Sequence, residues 1–113
     1  MNDVAFDTMH AALRALNVRE KALANNIANA ETPGFIATKV DFEGKLQEAI
    51  TKGDPLSASA TVTHTADAAN INGNNVQLDD QSVALIDTGL KYQLMVQGIN
   101  SKFQWLRTAI QER

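Results

Sequence analysis

Apolar residues recur at alternating spacings of three and four near both ends of this 113-residue chain. Such heptad spacing is typical of helices that pack along one apolar seam. The seam that we predict consists of Leu13, Leu16, Leu23, Ile27, Tyr92, Val96, Ile99, Phe103, Leu106 and Ile110. We therefore expect a mostly α fold, in which long N- and C-terminal helices pair as an antiparallel coiled-coil hairpin around an irregular or partly β middle segment.

The same pattern divides the chain into three parts of one domain, 1–113. We predict an N-terminal helix over 1–30, a middle arm and loop over 31–78, and a C-terminal helix over 79–113. Pro33 cannot continue the first helix, and Asp79 is a suitable N-cap for the last one. Residues 41–50 are compatible with either a short helix or an extended arm. Residues 51–77 are poor in large apolar side chains, so we expect a loop there that is possibly mobile.

The C-terminal helix carries a second set of large apolar residues outside the seam. A hairpin of two helices covers one stripe on each helix, so this second stripe indicates a further packing partner. We expect it to pack laterally against another chain. The alternative is that the middle segment folds back and covers it. The residues concerned are Ile86, Leu90, Leu94, Met95 and Trp105.

Composition argues against several classes of function. The chain has no Cys, so it can form neither disulfides nor Cys-ligated metal sites. A net charge of −3 leaves no basic surplus for a nucleic-acid backbone. We expect no membrane span and see no cleaved signal peptide. His10 and His64 stand apart in sequence, and no nucleophile or phosphate-binding motif accompanies them, so we expect no catalytic site, cofactor or metal.

The strongest local motif lies between Ala24 and Phe35. Three Asn residues in the last turns of a helix are unfavourable, because their side chains compete for backbone hydrogen bonds. They could mark ordinary fraying at a helix end, or they could bond neighbouring backbones in an assembly. The candidate assembly motif is Asn25, Asn26, Ile27, Asn29, Thr32, Pro33, Gly34 and Phe35.

This stretch resembles the N-terminal signature of the flagellar rod, hook and hook-associated axial family, and it meets every fixed position. Further runs resemble those of the proximal rod members of that family. They are Val-Asp-Phe-Glu at 40–43, Asn-Gly-Asn-Asn-Val-Gln-Leu-Asp at 72–79, Lys-Tyr-Gln at 91–93, Asn-Ser-Lys-Phe at 100–103 and Leu-Arg-Thr-Ala-Ile at 106–110. The resemblance covers nearly the whole chain except about 51–70.

The resemblance implies a structural subunit of the proximal rod in the bacterial flagellar basal body. It implies a helical domain built from both termini, whose copies pack side by side in a tube within the periplasmic space and transmit torque. It also implies export by the flagellar type III apparatus without a cleaved signal. The expected partners are other copies of the chain, other rod proteins, the MS-ring adaptor FliE and that export apparatus.

A second hypothesis is a small secreted helical-hairpin dimer of another export system. Proteins of that kind usually carry a Trp-x-Gly motif at the hairpin turn. The motif is missing here, where the single Trp is Trp105.

Overall fold

The computed structural model describes residues 3–111, and its first helix, α1, spans Val4–Ala28. Asp3 caps this helix, because its side chain accepts a hydrogen bond from the Phe6 N–H. Asn29 is the C-cap residue, and its N–H donates back to carbonyls of the last turn. Pro33 follows shortly afterwards and lacks the N–H that a continuing helix would need.

The middle segment contains more regular structure than predicted. Strand β1 spans Thr38–Asp41, helix α2 spans Glu43–Thr51, a short 3-10 turn spans Pro55–Ser57, and strand β2 spans Thr61–His64. The two strands pair antiparallel, with Thr38 opposite His64 and Asp41 opposite Thr61. Of the two alternatives for residues 41–50, the structure has the short helix. The stretch predicted as a loop over 51–77 contributes a strand to the sheet.

The last helix, α3, spans Leu78–Gln111. It begins one residue earlier than predicted, so Asp79 lies in its first turn and does not cap it. Together with Asp80, that carboxylate stabilises the positive end of the helix dipole. At 34 residues, α3 is about 51 Å long. No helix within 3–111 is long and apolar enough to cross a membrane.

Helices α1 and α3 lie antiparallel, which confirms the predicted fold class. At one end the rings of Phe6 and Phe103 meet edge to face, with centroids 5.4 Å apart. Beside them Lys102 Nζ lies 2.7 Å from Asp3 Oδ2. At the other end Asn26 contacts Gln81. The resulting molecule measures 67 × 26 × 14 Å.

Small residues allow the elements to approach closely. Ala11, Ala12 and Ala15 of α1 are all buried. On α3, a Cβ added to Gly98 would lie 2.8 Å from Met9 Sδ. The centre of the core is Leu16, which is 2% exposed and clusters with Ala15 and Phe42; the partly buried members of the cluster are Leu46, Ala60, Tyr92 and Met95.

The middle segment packs mainly against α1. Its 3-10 turn is held there by Arg14, whose guanidinium donates to the Leu56 carbonyl. It does not cover the second stripe of α3, where Ile86, Leu90 and Leu94 are each more than 60% exposed. The alternative in which the middle segment folds back over that stripe is therefore not the arrangement of this chain.

We expect Leu16→Ala to lower the free energy of unfolding by about 3 kcal/mol, because it leaves a cavity at the centre of a thin core. The matched control is Leu90→Ala, the same substitution at a side chain that is 63% exposed, for which we expect a change below about 0.5 kcal/mol. Urea unfolding followed by circular dichroism measures both. Equal losses in the two variants would contradict this placement of the core.

Candidate assembly surface

Two sequence motifs that lie far apart in the chain meet at one end of the molecule. The turn after α1 and the segment before α3 are joined by backbone hydrogen bonds. Gly34 N donates to the Asn72 carbonyl at 2.9 Å, and Asn75 N donates to the Phe35 carbonyl at 3.2 Å. We name this contact the asparagine junction, because the side chains that complete it are Asn26, Asn74 and Asn75.

Asn26 joins three elements through one side-chain amide. Its Oδ1 accepts a hydrogen bond from Thr38 N at 3.0 Å, and its Nδ2 donates to the Thr38 carbonyl at 2.8 Å. The same Nδ2 donates to Gln81 Oε1 at 2.8 Å. The side chain is completely buried, so α1, β1 and α3 share an amide that water cannot reach.

Asn74 closes the turn that follows α1. Its Nδ2 donates to the carbonyls of Asn29 and Thr32, at 2.8 Å each. Its Oδ1 accepts from Val76 N, two residues further along the chain. Both carbonyls also accept a backbone N–H, from Thr32 and from Phe35, so Asn74 adds a second hydrogen bond to each.

Asn75 holds the middle segment to the same point. Its Oδ1 accepts from Ala37 N at 2.7 Å, and its Nδ2 donates to Thr65 Oγ1 at 2.9 Å and to the Asp67 carbonyl. The side chain therefore links the residue before β1 with the residues after β2. Like Asn26 and Asn74, it is buried with its amide fully used.

Two glycines allow the backbones at the junction to approach. Gly34 has φ +75° and Gly73 has φ +83°, both in the left-handed region that favours glycine. A Cβ on Gly73 would also lie 3.3 Å from the Cα of Gly34. The junction thus requires a small residue at Gly73 for steric reasons as well as for its backbone conformation.

Arg19 fixes the strand that leads away from the junction, and the sequence did not single it out. Its guanidinium forms a bidentate pair with Glu43 at 2.6 and 2.8 Å and also donates to the Val40 carbonyl. Its Cζ lies 4.6 Å from the ring centre of Phe42. Three residues of the Val-Asp-Phe-Glu run at 40–43 therefore contact the guanidinium of Arg19. The sequence signal that could have indicated this role is the position of an arginine between the seam residues Leu16 and Leu23.

The hydrogen bonds from Arg19 lower the pKa of Glu43 from its ordinary value of 4.5 to about 2. Burial alone would act in the opposite direction. The cause is a structural ion pair, whose Glu43 side chain is 59% exposed.

The other members of the predicted motif have different surroundings. Asn25 is exposed, Ile27 is half-buried, and Asn29 bonds within its own helix turn through the Asn25 carbonyl. Thr32 donates to Asn29 Oδ1 at 3.1 Å. Pro33 and Gly34 lie on the surface and Phe35 is half-buried.

The predicted seam residues follow the contact between the helices over most of its length. Leu16, Leu23 and Ile99 are buried; Leu13, Ile27, Tyr92 and Val96 are half-buried. Phe103, at the end of the contact, is 51% exposed although it packs on Phe6.

The last two predicted seam residues are placed differently from our expectation. Helix α3 has 34 residues against 25 in α1, so its end extends past Val4. Leu106 is 49% and Ile110 is 72% exposed. Among residues 3–111, no part of α1 lies opposite them.

Four large apolar residues of the predicted second stripe form one exposed face, and Met95 does not belong to it. Met95 packs against the Leu16 cluster, because its position on the helix lies between the two stripes. Val83, which is 68% exposed, extends the face instead. We call this face the α3 outer stripe; its members are Val83, Ile86, Leu90, Leu94 and Trp105, at spacings of three, four, four and eleven.

Comparisons with known proteins support the resemblance found in the sequence. A family model described as flagella basal body rod protein matches residues 3–35. The flagellar basal body rod protein FlgB of Borreliella burgdorferi is 30% identical over 119 residues, which cover 84% of this chain and 88% of the relative. The chain belongs to the FlgB family of flagellar basal body rod proteins.

Other FlgB proteins match along most of their length. That of Yersinia ruckeri is 30% identical, with 94% of this chain and 98% of the relative covered. That of Bacillus subtilis is 28% identical, with 88% and 87% covered. The family model for 3–35 spans α1 and the first half of the asparagine junction. The second half, at 72–79, lies outside that model but inside the part of the chain that these FlgB relatives resemble.

We expect Asn26→Ala to destabilise the chain by about 2 kcal/mol, because Thr38 N and Gln81 Oε1 lose their partner in a buried site. The control is Asn25→Ala, one residue earlier and exposed, for which we expect less than about 0.5 kcal/mol. Both variants gain the same helix propensity, so the difference in unfolding free energy reports the loss of the buried amide with its hydrogen bonds. Equal stability of the two variants would contradict the role of the junction.

We expect the Arg19–Glu43 pair to make the unfolding free energy pH-dependent. The pKa of Glu43 is lower in the folded chain, so its contribution is complete above pH 4.5 and is lost as the pH falls from there towards about 2. Because the carboxylate is more than half exposed, we expect only about 1 kcal/mol. Glu43→Gln should remove this pH dependence, whereas Glu48→Gln, at an exposed site on the same helix, should keep it. Identical pH profiles for the two variants would refute the assignment.

Proposed function

We propose that this chain is a structural subunit of the flagellar basal-body rod that assembles laterally by helical packing through the α3 outer stripe. The observation that carries the proposal is the exposure of that stripe, from 61% at Leu94 to 73% at Trp105. Isolated exposed apolar side chains are common, but four large ones at successive turns from Val83 to Leu94, with Trp105 further along the same side, indicate an interaction site. The family membership identifies the assembly in which such a site would be used.

Burial of the stripe would favour association. Full burial of a Leu or Ile side chain contributes about 2 kcal/mol. Several such side chains are needed, because association also costs rotational and translational freedom. Long helices that lie side by side repeat this contact along their length. Such an arrangement suits transmission of torque, since the load is divided among many lateral contacts.

The proposed location is the proximal rod in the periplasmic space, after export by the flagellar type III apparatus without a cleaved signal. The support is the motif resemblance at 40–43, 72–79 and 100–110. On the same basis we propose other copies of the chain, further rod proteins and the MS-ring adaptor FliE as neighbours.

The proposed chemistry is packing and hydrogen bonding without turnover. Glu43 has a strongly shifted pKa of the kind that can mark a catalytic group. Here its cause is the ion pair with Arg19 on the surface of the domain. The shift therefore has a structural explanation that needs no substrate.

We expect Leu90→Asp to leave the isolated chain folded but to block its incorporation into the rod. Circular dichroism should show unchanged helix content, since the side chain is already 63% exposed. Swimming motility and the amount of the chain in isolated basal bodies report assembly. The control is Gln93→Asp, which adds the same charge at an exposed position of α3 outside the stripe and should assemble normally.

Normal swimming of the Leu90→Asp variant would overturn the proposal that the stripe mediates assembly. A discrete dimer of the wild-type chain that persists on dilution, with no incorporation into basal bodies, would instead favour the secreted hairpin dimer.

A further inference from the structure

A second surface of the chain remains exposed on a different side from the α3 outer stripe. It lies on α1, whose other faces contact α3 through Leu16 and Leu23 and the middle segment through Arg19 and Asn26. We name it the α1 outer face. Its exposed residues are Arg14, Asn17, Lys21, Ala24, Asn25 and Ala28. It includes Asn25, an exposed residue of the predicted assembly motif.

The two surfaces have complementary shapes. The α3 outer stripe presents large side chains such as Val83 and Ile86. The α1 outer face has Ala24 and Ala28 one turn apart, and small residues allow a neighbouring helix to approach closely. Large side chains of one helix fit between the residues of the other when the facing positions are short.

The two surfaces also have complementary charge. The α1 outer face carries Lys21 beside Arg14, whose guanidinium already donates to the Leu56 carbonyl. The first part of the α3 outer stripe is flanked by Asp79, Asp80 and Asp87. Asp87 is paired within its helix to Lys91 at 2.9 Å, but both side chains are more than half exposed. Such a pair is weak, so its carboxylate remains available to a second cation.

One carboxylate and one cation lie at matching heights along the molecule. Phe6 lies beside Phe103 and Asn26 beside Gln81, and this alignment places Lys21 at about the level of Asp87. Neighbours that stand side by side with the same polarity would therefore bring these two charges together.

We propose that the α3 outer stripe of one copy packs on the α1 outer face of the next copy. This inference rests on the proposed rod function and specifies its lateral partner. Because the contact joins two different surfaces on different sides of the chain, it is heterologous. It repeats from copy to copy and builds a ring or a tube, whereas a symmetric contact between two stripes would stop at a dimer.

The test is disulfide cross-linking, which suits a chain without Cys. The variant Ala24→Cys with Val83→Cys places one thiol on each surface, at about the same level along the molecule. Because the α3 outer stripe faces away from α1, a disulfide within one chain is not expected, since it can span roughly 7 Å between Cα atoms at most. The control is Ala68→Cys with Val83→Cys, in which the same Ala substitution lies at an exposed site of the middle segment. Both are expressed as the sole FlgB-family protein of a motile host and oxidised in isolated basal bodies.

We expect the first variant to give a ladder of cross-linked dimers, trimers and larger species. The control should give several-fold less cross-linked product. Rods that assemble without a ladder, or Val83→Cys alone giving a complete dimer, would overturn the heterologous contact and leave the rod function intact. Absence of the wild-type chain from basal bodies would instead refute the proposed function itself.

A charge exchange gives an independent readout if a Cys variant fails to assemble. We expect Lys21→Glu and Asp87→Lys each to reduce incorporation several-fold, and the double variant to restore it. Failure of the double variant to recover would overturn the proposal, because two charges that meet across the contact should tolerate exchange.

Discussion

The structure depends on one buried amide. Asn26 makes hydrogen bonds to β1 and to α3 from within α1, and its side chain is excluded from solvent. A buried amide is costly unless all its bonds are made. Its three hydrogen bonds join β1 and the first turn of α3 to the last turns of α1. Asn26 therefore sets where the middle segment leaves the hairpin and how far α3 is shifted along α1.

A polar junction is needed because the apolar core is thin. Ala is prominent among the buried side chains of α1, and Leu16 with Phe42 forms the centre of a small cluster. The Arg19–Glu43 pair and the amides of Asn74 and Asn75 add directional contacts where apolar area is limited. Most large apolar side chains of α3 outside the helix contact are thereby left free. Because these polar contacts help to close the fold, large apolar side chains of α3 can face other chains.

The sequence predicted the two long helices because heptad spacing is a local signal that survives in the folded chain. It also identified Asn26 as unusual, but it left open whether the amide bonds inside the chain or outside it. Its partners Thr38 and Gln81 lie 12 and 55 residues away, and no spacing rule connects such positions. Met95 was assigned to the outer stripe because its place between two stripes is ambiguous until the middle segment is positioned. The role of Arg19 was missed for the same reason, since it depends on the position of Glu43 in the middle segment.

The central claim is that the chain completes its own fold and uses the α3 outer stripe for contacts with other subunits. Hydroxyl-radical footprinting of the free chain and of assembled rods tests it most directly. The account predicts strong protection on assembly at Ile86, Leu90, Leu94 and Trp105, while Leu16 remains protected in both states. Equal reactivity of the stripe in the free chain and in the rod would contradict it.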